Sequence, residues 1–323
     1  MEVWILYGED IESSQDLAYE VRRFIAEGQK MDIKVEVLQP DQFDLLVTEH
    51  NRDSILVDGQ HRPLPDFVFP YLAEGDRNFF SFAIIRQLRQ LGVPVFNSED
   101  TIEMVGDKLH THQILAQAEI PTQTTLLGKF PVNLDLVQET IGFPVVVKTR
   151  LGSNGSGVFL IEHPNAFSDL MRLIEETNPN IQLIFQQFVA ASRGRDLRLF
   201  VVKGQVIAAM ERRAKEGDFK ANYSTGGSVH AFEPDEEAVK LAIKTTEVLD
   251  IDVAGVDLLF TENGYTICEA NTFPGFKGLE AATGENIPHH IFQAMQHHLG
   301  TSGQRKDVGS SDNTDIPLQV AYK

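Results

Sequence analysis

The chain holds one cysteine, Cys268, so no internal disulfide can form and a thiolate-rich zinc site is excluded. Its setting in YTICEA reads as a strand thiol facing a core. Positive charge is also short: 28 lysines and arginines stand against 47 aspartates and glutamates, a formal net charge of -19. No basic stripe interrupts that excess, which excludes nucleic acid as a partner. The acidity reads first as a solubility device. No apolar run approaches the length of a membrane span, and the opening MEVWILYGED has no basic segment ahead of an apolar one. A cytoplasmic protein with no membrane partner is therefore expected. No G-x-G-x-x-G follows the first apolar run, which argues against a dinucleotide site there. Nothing resembles a Ser-His-Asp or Cys-His arrangement. His110, His112 and the pairs His289-His290 and His297-His298 sit in helical patterns and read as surface residues.

What is present is an ordinary globular balance, with 42% apolar and 23% charged residues over 323 positions, enough for two or three modest domains. The N-terminal third alternates strand and helix. VWILY (Val3 to Tyr7), KVEVL, DFVFP (Asp66 to Pro70) and VPVF (Val93 to Phe96) read as strands. Helical spacing joins Leu17, Val21, Phe24 and Ile25, and recurs in FFSFAIIRQLRQL. This rhythm implies a small parallel sheet with helices on its faces, over residues 1–97. A second module starts near Asn97, where Asp100 is expected to cap one helix carrying Met104, Lys108, Leu109 and Leu115. Longer strands follow in PVVVK, VFLIE, LIFQQFV, DLRLFVV, QVIAAMERR, VDLLF and YTICEAN. KGQ and ENG mark hairpin connections, and helices are expected over Glu236 to Leu249 and around His289 to His298. The polar stretch over 301–323 is expected to be a disordered tail.

Three clusters carry chemistry. Lys148 ends the apolar strand PVVVK, and the turn RLGSNGSG follows at once. Its Gly152, Gly155 and Gly157, with Ser153, Asn154 and Ser156, let backbone N–H groups approach phosphate oxygens. The lysine precedes the glycines and no G-K-[ST] follows, so this is no Walker A loop. Asp257 on one strand, with Glu269 and Asn271 two apart on the next, offers hard oxygen donors that suit magnesium and suit zinc poorly. Both acidic residues are flanked by apolar runs, where an unpaired carboxylate is costly. Between these landmarks Arg212, Arg213, Lys215 and Lys220 can neutralise a polyphosphate, although Lys215 reads better as a surface charge. Asn222 and Gly226-Gly227 would form a second backbone loop. Phe273 and Phe276 read as core packing, with a place in a substrate loop as the alternative.

The segments DKLHTHQILAQAEIP, FPVVVKTRLGSNGSGV, FQQFV, RDLRLFVV, ERRAKEGDFKANYSTGG, DVAGVDLLF and EANTFPGFKGLEAATG occur in this order over about Asn97 to Gly300. In that order they resemble the ATP-grasp superfamily, and within it the RimK-like amino-acid ligases. The resemblance implies an α/β fold: a parallel-sheet domain (1–97), then an ATP-grasp domain of α+β character clamping ATP between two antiparallel sheets. Its central lid subdomain would span 98–187 and its catalytic subdomain 188–300. It places Lys108 and Lys148 on the nucleotide phosphates, and Gln187, Phe188 and Val189 at the hinge that reads the adenine edge. Relatives often carry Glu and Tyr at the first two hinge positions, so Gln187 and Phe188 are departures that backbone readout should survive. Asp196 would meet the ribose. Arg212 would lie nearest the transferred phosphoryl group. Lys220 stands where near relatives carry Arg and Ala221 where they carry Ser, while Asn222 matches. Asp257, Glu269 and Asn271 match the ligands of magnesium, with two ions implied and manganese an alternative.

The implied reaction joins a carboxylate to an amine at the expense of ATP, through an acyl phosphate, with L-glutamate as the incoming amino acid. The acceptor could be a protein terminus, a peptide or a small molecule, and the residues do not choose among these. Family members form homo-oligomers. Two rivals stand beside this reading: an ATP-binding regulatory protein without turnover, and a kinase in which no amine intercepts the phosphorylated acid.

Overall fold

The computed structural model describes residues 1–12, 16–47, 55–152, 157–221 and 226–307. The first part contains β1 (Glu2–Leu6), α1 (Asp16–Lys30), β2 (Lys34–Leu38), β3 (Phe43–Leu45) and β4 (Ile55–Val57). It continues through β5 (Gln60–His61), β6 (Phe67–Pro70) and α2 (Phe79–Gln90). Strand β1 is the centre of a three-stranded parallel sheet in the order β2-β1-β6. Its Val3, Trp4, Ile5 and Leu6 are all buried, as a strand covered on both faces demands. A second small sheet, β3-β4-β5, was not expected from the sequence; its strands are two or three residues long, too short to show a period. The expected strand at VPVF reduces to one parallel bridge, Val68 to Val95. Pro94 accepts from Val68 N at 2.9 Å but has no N–H with which to extend the ladder.

The expected single helix after Asn97 is two: α3 (Glu99–Gly106) and α4 (Lys108–Gln117). Ser98, not Asp100, caps the first, its hydroxyl accepting from Thr101 N at 3.2 Å. Asp107 caps the second, accepting from Leu109 N at 3.0 Å and His110 N at 3.3 Å. A glycine followed by a strong cap residue ends one helix and starts another. The break puts Lys108 in the first turn of α4 rather than inside a continuous helix.

A four-stranded antiparallel sheet follows, built from β7 (Thr125–Leu127), β8 (Val145–Thr149), β9 (Val158–Ile161) and β10 (Leu183–Gln187) in the order β7-β10-β8-β9. Helices α5 (Leu134–Thr140) and α6 (Pro164–Thr177) cover it, with Val137, Phe167 and Met171 packed on Val145, Val147 and Phe185. The last sheet is also antiparallel: β11 (Arg195–Val202), β12 (Gln205–Arg213), β13 (Ser228–Ala231), β14 (Val253–Thr261) and β15 (Gly264–Asn271), in the order β13-β12-β11-β14-β15. Lys203 and Gly204, at φ +48° and +73°, make the tight hairpin expected at KGQ. One face of this sheet is apolar. Leu197, Leu199, Val201, Ala209 and Val256 pack there with Leu115 of α4 and with α7 (Glu236–Val248).

The other face of the same sheet shares a core with the N-terminal part. Phe24 of α1 meets Phe276 and Phe292, each with ring centroids 5.7 Å apart, beside Phe200 and Met210. These partners belong to α9 (Ile287–Asp307) and to the residue capping α8 (Lys277–Thr283). Helix α9 runs through residues 301–307, inside the stretch expected to be tail; 308–323 lie outside the described residues. Among the described residues no helix is long and apolar enough to cross a membrane.

His112, expected at the surface, is buried on α4 where the two antiparallel sheets meet. Its Nδ1 lies against the Thr122 hydroxyl, and the Gln186 amide N–H donates to its Nε2 at 2.8 Å. Burial, reinforced by the Lys148 charge, drives the imidazole down to about 4. An unfolded histidine titrates near about 6.5, so at lower pH the unfolded chain takes a proton that the folded chain refuses. The stability contributed by neutral His112 is complete above about pH 6.5 and is lost as the pH falls toward about 4, a change of roughly 3 kcal/mol. Urea titrations at stepped pH should show this loss. His112→Gln should flatten it, and a variant keeping the full slope would refute the assignment.

Candidate active site

Strand alternation gathers the charged residues of the five-stranded sheet on one face. Asp196 and Arg198 are two apart on β11; Arg212 pairs with Asp196 from β12, and Asp257 pairs with Arg198 from β14. A β-bulge in the β14–β15 hairpin sets the next row. Asp257 faces Glu269 but Leu258 faces Ile267, so Cys268 is the extra residue. The bulge lets Ile267 stay in the apolar core while Glu269 and Asn271 line up beside Asp257 and Gly255. Asn271 Nδ2 donates to Glu269 Oε1 at 3.3 Å.

The carboxylates and guanidinium groups of this face interlock. Arg212 holds Asp196 through two bonds of 2.6 and 2.8 Å and reaches Asp257 at 2.8 Å. Arg198 grips both oxygens of Asp257 at 2.6 Å. Burial alone would raise the Asp257 carboxyl, but Arg198 and Arg212 reverse that and hold it at about 2. For Asp196, burial pushes the carboxyl upward against the pull of Arg212. Arg198 was not singled out in the sequence, although its spacing of two from Asp196 on a strand was signal enough to place both on one face.

A cleft of about 1210 Å³ opens over this face. Arg198, Arg212, Glu269 and Asn271 line it from the sheet, and Lys108, His112 and Gly152 from above. Lys108 Nζ donates to the Gly152 carbonyl, the Lys108 N–H donates to Arg150 O at 3.3 Å, and Arg150 pairs with Asp107. Burial lowers the Lys108 ammonium, which raises its demand for an anion. Lys148 lies just behind the lining, its ammonium 3.9 Å from Cys268 Sγ. Cys268 therefore sits beside a cation rather than in the apolar core, and burial pushes its thiol up to about 12. Gly152 and Gly157 have φ of +118° and +70°, and a Cβ on Gly157 would stand 2.9 Å from Thr149 Cγ2, so no larger residue fits there. Ser153, Asn154, Gly155 and Ser156 lie outside the described residues, as does Asn222.

The hinge residues sit at the end of β10. Gln187 N donates to Thr124 O at 3.0 Å, Phe188 lies under the Arg193 guanidinium at 5.6 Å, and Val189 opens a short 3-10 turn. Lys220 reaches over Phe159 of β9 at 5.8 Å, bridging the two antiparallel sheets. Gln187, Phe188, Val189 and Lys220 lie outside the lining of the cleft, as do Asp196 and Asp257. Among the described residues no cluster of three or more His, Cys, Asp or Glu is arranged around a point. The hard-oxygen side chains are two carboxylates and an amide: Glu269 and Asn271 face the cleft, whereas Asp257 is buried with both oxygens on Arg198 and Arg212 and has only their second lone pairs to offer a hard cation.

The far end of the cleft belongs to the N-terminal part, through Glu9, Ala73, Glu74 and Arg77, which the sequence had not marked. Tyr71 ties that part to the loop after Asn271 by donating to Pro274 O at 3.2 Å. Phe273, in the same loop, is buried but also lines the cleft, with the Arg77 guanidinium 4.7 Å over its ring.

Known proteins match this arrangement. A profile of the RimK PreATP-grasp domain matches residues 1–102, and one of the RimK-like ATP-grasp domain matches residues 105–295. A Citrobacter koseri protein named probable alpha-L-glutamate ligase is 34% identical over 283 residues, covering 87% of this chain and 92% of its own length. A Parasynechococcus marenigrum protein of the same name is 31% identical over 87% of this chain, which spans 60% of that relative's length. Among solved structures, the ATP-grasp ligase PsnB complexed with minimal precursor, Mg and ADP superposes with a TM-score of 0.69. The identity is 17%, with 91% of this chain and 97% of PsnB covered, a likeness of fold. With both halves matched and both antiparallel sheets in place, the chain belongs to the RimK-like ATP-grasp family and is an ATP-grasp ligase.

Proposed function

We propose that this ligase joins a carboxylate to the amine of an incoming L-glutamate. The observation that carries the reading is the row of Asp257, Glu269 and Asn271 on one sheet, beneath Lys108 and the glycine turn of the other. Relatives named probable alpha-L-glutamate ligase support glutamate as the amino acid. The acceptor carboxylate attacks the γ-phosphorus of ATP, forming an acyl phosphate and releasing ADP. The glutamate nitrogen then attacks the acyl carbon, and the C–O bond to phosphate breaks as the amide forms.

Lys108 and Lys148 are proposed to hold the nucleotide phosphates, and the backbone of Gln187, Phe188 and Val189 to read adenine. Gly152 to Gly157 and Asn222 would close over the phosphates and exclude water from the acyl phosphate. Asp196 has both oxygens on Arg212, yet each oxygen has a second lone pair, so a ribose hydroxyl can share it. Asp257, Glu269 and Asn271 would hold magnesium, as two ions, with manganese able to substitute. Held there, magnesium would offset the negative charge of the phosphates. Arg212, fixed by two carboxylates, presents its remaining nitrogen to the developing negative charge, a contribution of about 2.7–4 kcal/mol. A homo-oligomer in the cytoplasm is the setting the family resemblance supports.

Incubation with ATP, magnesium, L-glutamate and candidate acceptors should release ADP and give a product heavier by one glutamyl residue. ADP release without any amine would support the kinase alternative, and ATP binding without turnover the regulatory one. Glu269→Gln should abolish turnover while leaving the melting temperature unchanged; activity retained at saturating magnesium would refute the metal assignment. Lys148→Ala should raise the Kd for ATP roughly 10- to 100-fold, the loss expected for a charge-assisted hydrogen bond. Calorimetry showing unaltered ATP affinity would contradict its phosphate role.

A further inference from the structure

We infer that Arg77, from the N-terminal part, is the residue that captures a spectator carboxylate of the incoming amino acid, one that takes no part in bond making. The inference rests on the ligase reading above and names what its far wall recognises.

Arg77 stands on a turn that leaves it little freedom. A short 3-10 turn over Glu74–Asp76 precedes it, and its N–H donates to Glu74 O at 3.4 Å. Asn78 follows as the cap of α2, accepting from Phe80 N at 3.0 Å and Ser81 N at 3.2 Å. Pinned on both sides, the side chain lines the cleft with its Cζ over the Phe273 ring, 4.7 Å from the centroid. Its Nε–H donates to Leu72 O at 3.3 Å. The four Nη–H donors have no acceptor among the described residues, and no carboxylate there lies within ion-pair distance. Every other guanidinium lining this cleft is different: Arg198, Arg212 and Arg150 are each paired with an aspartate.

An arginine with its Nε occupied keeps its Nη1–Nη2 edge, which matches the two oxygens of a carboxylate. A stacked guanidinium loses less freedom on binding than a lysine would. Burial lowers the Arg77 pKa, with Glu74 and Tyr71 only partly offsetting it, so the site favours an anion. Phe273 follows the metal-binding strand by two residues, so a carboxylate on Arg77 belongs to a molecule lying beside the phosphoryl group rather than to ATP itself. Glu9 and Glu74 on the same wall add negative charge. A wall with both signs suits a zwitterion better than a simple acid.

The test compares L-glutamate, L-glutamine and isoglutamine as amines for the wild type and for Arg77→Gln and Arg77→Lys, with ATP binding measured separately. Arg77→Gln should raise the KM for L-glutamate at least tenfold while leaving the Kd for ATP and the melting temperature unchanged. Arg77→Lys, which keeps the charge but loses the fork, should fall between. The amide that the wild type discriminates against and Arg77→Gln does not marks the carboxylate that Arg77 reads: glutamine the side-chain one, isoglutamine the α one. An unchanged KM in Arg77→Gln, with wild-type turnover intact, overturns this inference and leaves the ligase reading standing. Absence of amide product from wild type that binds ATP overturns both. Should Arg77→Gln fail to fold, the wild-type comparison and Arg77→Lys decide: equal KM values for the three amines, with no loss in Arg77→Lys, would refute the role.

Discussion

Two carboxylates and two guanidinium groups lie buried side by side on one sheet face, and the site depends on their neutralising one another. Asp196, Arg212, Asp257 and Arg198 are within a tenth of full burial or close to it. Any one of them alone would be too costly to hold there. As a chain of bidentate pairs they cancel in charge and fix one another's rotamers. The consequence is a preorganised floor: Arg212 cannot swing away, and Asp257 is kept ionised. Replacing one member would leave its partner charged and buried, so these residues act as a unit.

A second constraint joins the two ends of the chain. The N-terminal parallel sheet, the capping region of α8 and helix α9 share one core, with Phe24 among the rings of Phe69, Phe276 and Phe292. Glu20, on the same helix as Phe24, accepts from Phe276 N at 2.6 Å and Lys277 N at 3.1 Å. Tyr71 holds Pro274 from the end of β6. These contacts place the loop after Asn271 against the N-terminal part, so Glu269 and Asn271 and the far wall of the cleft keep a fixed relation. The four-stranded sheet is joined to the rest by polar contacts: Gln123 on Ile267 O at 2.6 Å, Gln186 on His112, Arg150 on Asp107, Lys108 on Gly152 O, and Lys220 over Phe159.

Where local pattern and tertiary environment agreed, reading was direct. The helical spacing of Val21 and Phe24 and the shared face of Glu269 and Asn271 follow from periods of about 3.6 and 2, the β1 strand from its apolar run, and the KGQ hairpin from its turn residues. They failed where length or partners decided. The strands of the β3-β4-β5 sheet are too short for alternation to register. The helix over 99–117 breaks because Asp107 finds two N–H groups to cap, a choice that helical periodicity does not report. His112 follows a surface pattern along α4 yet faces inward, because Thr122 and Gln186 arrive from other segments to receive it.

By itself the sequence determined the longer strands and helices, the spacing of the hard-oxygen side chains and the glycine turn after a lysine, because each is written within a few adjacent residues. Only the tertiary structure decided that Arg198 and Arg212 share Asp257, that the bulge at Cys268 brings Glu269 level with it, and that Arg77 crosses from another part of the chain to the same cleft. Side chains from distant strands meet through sheet register and shared cores, and those depend on the whole chain being folded at once.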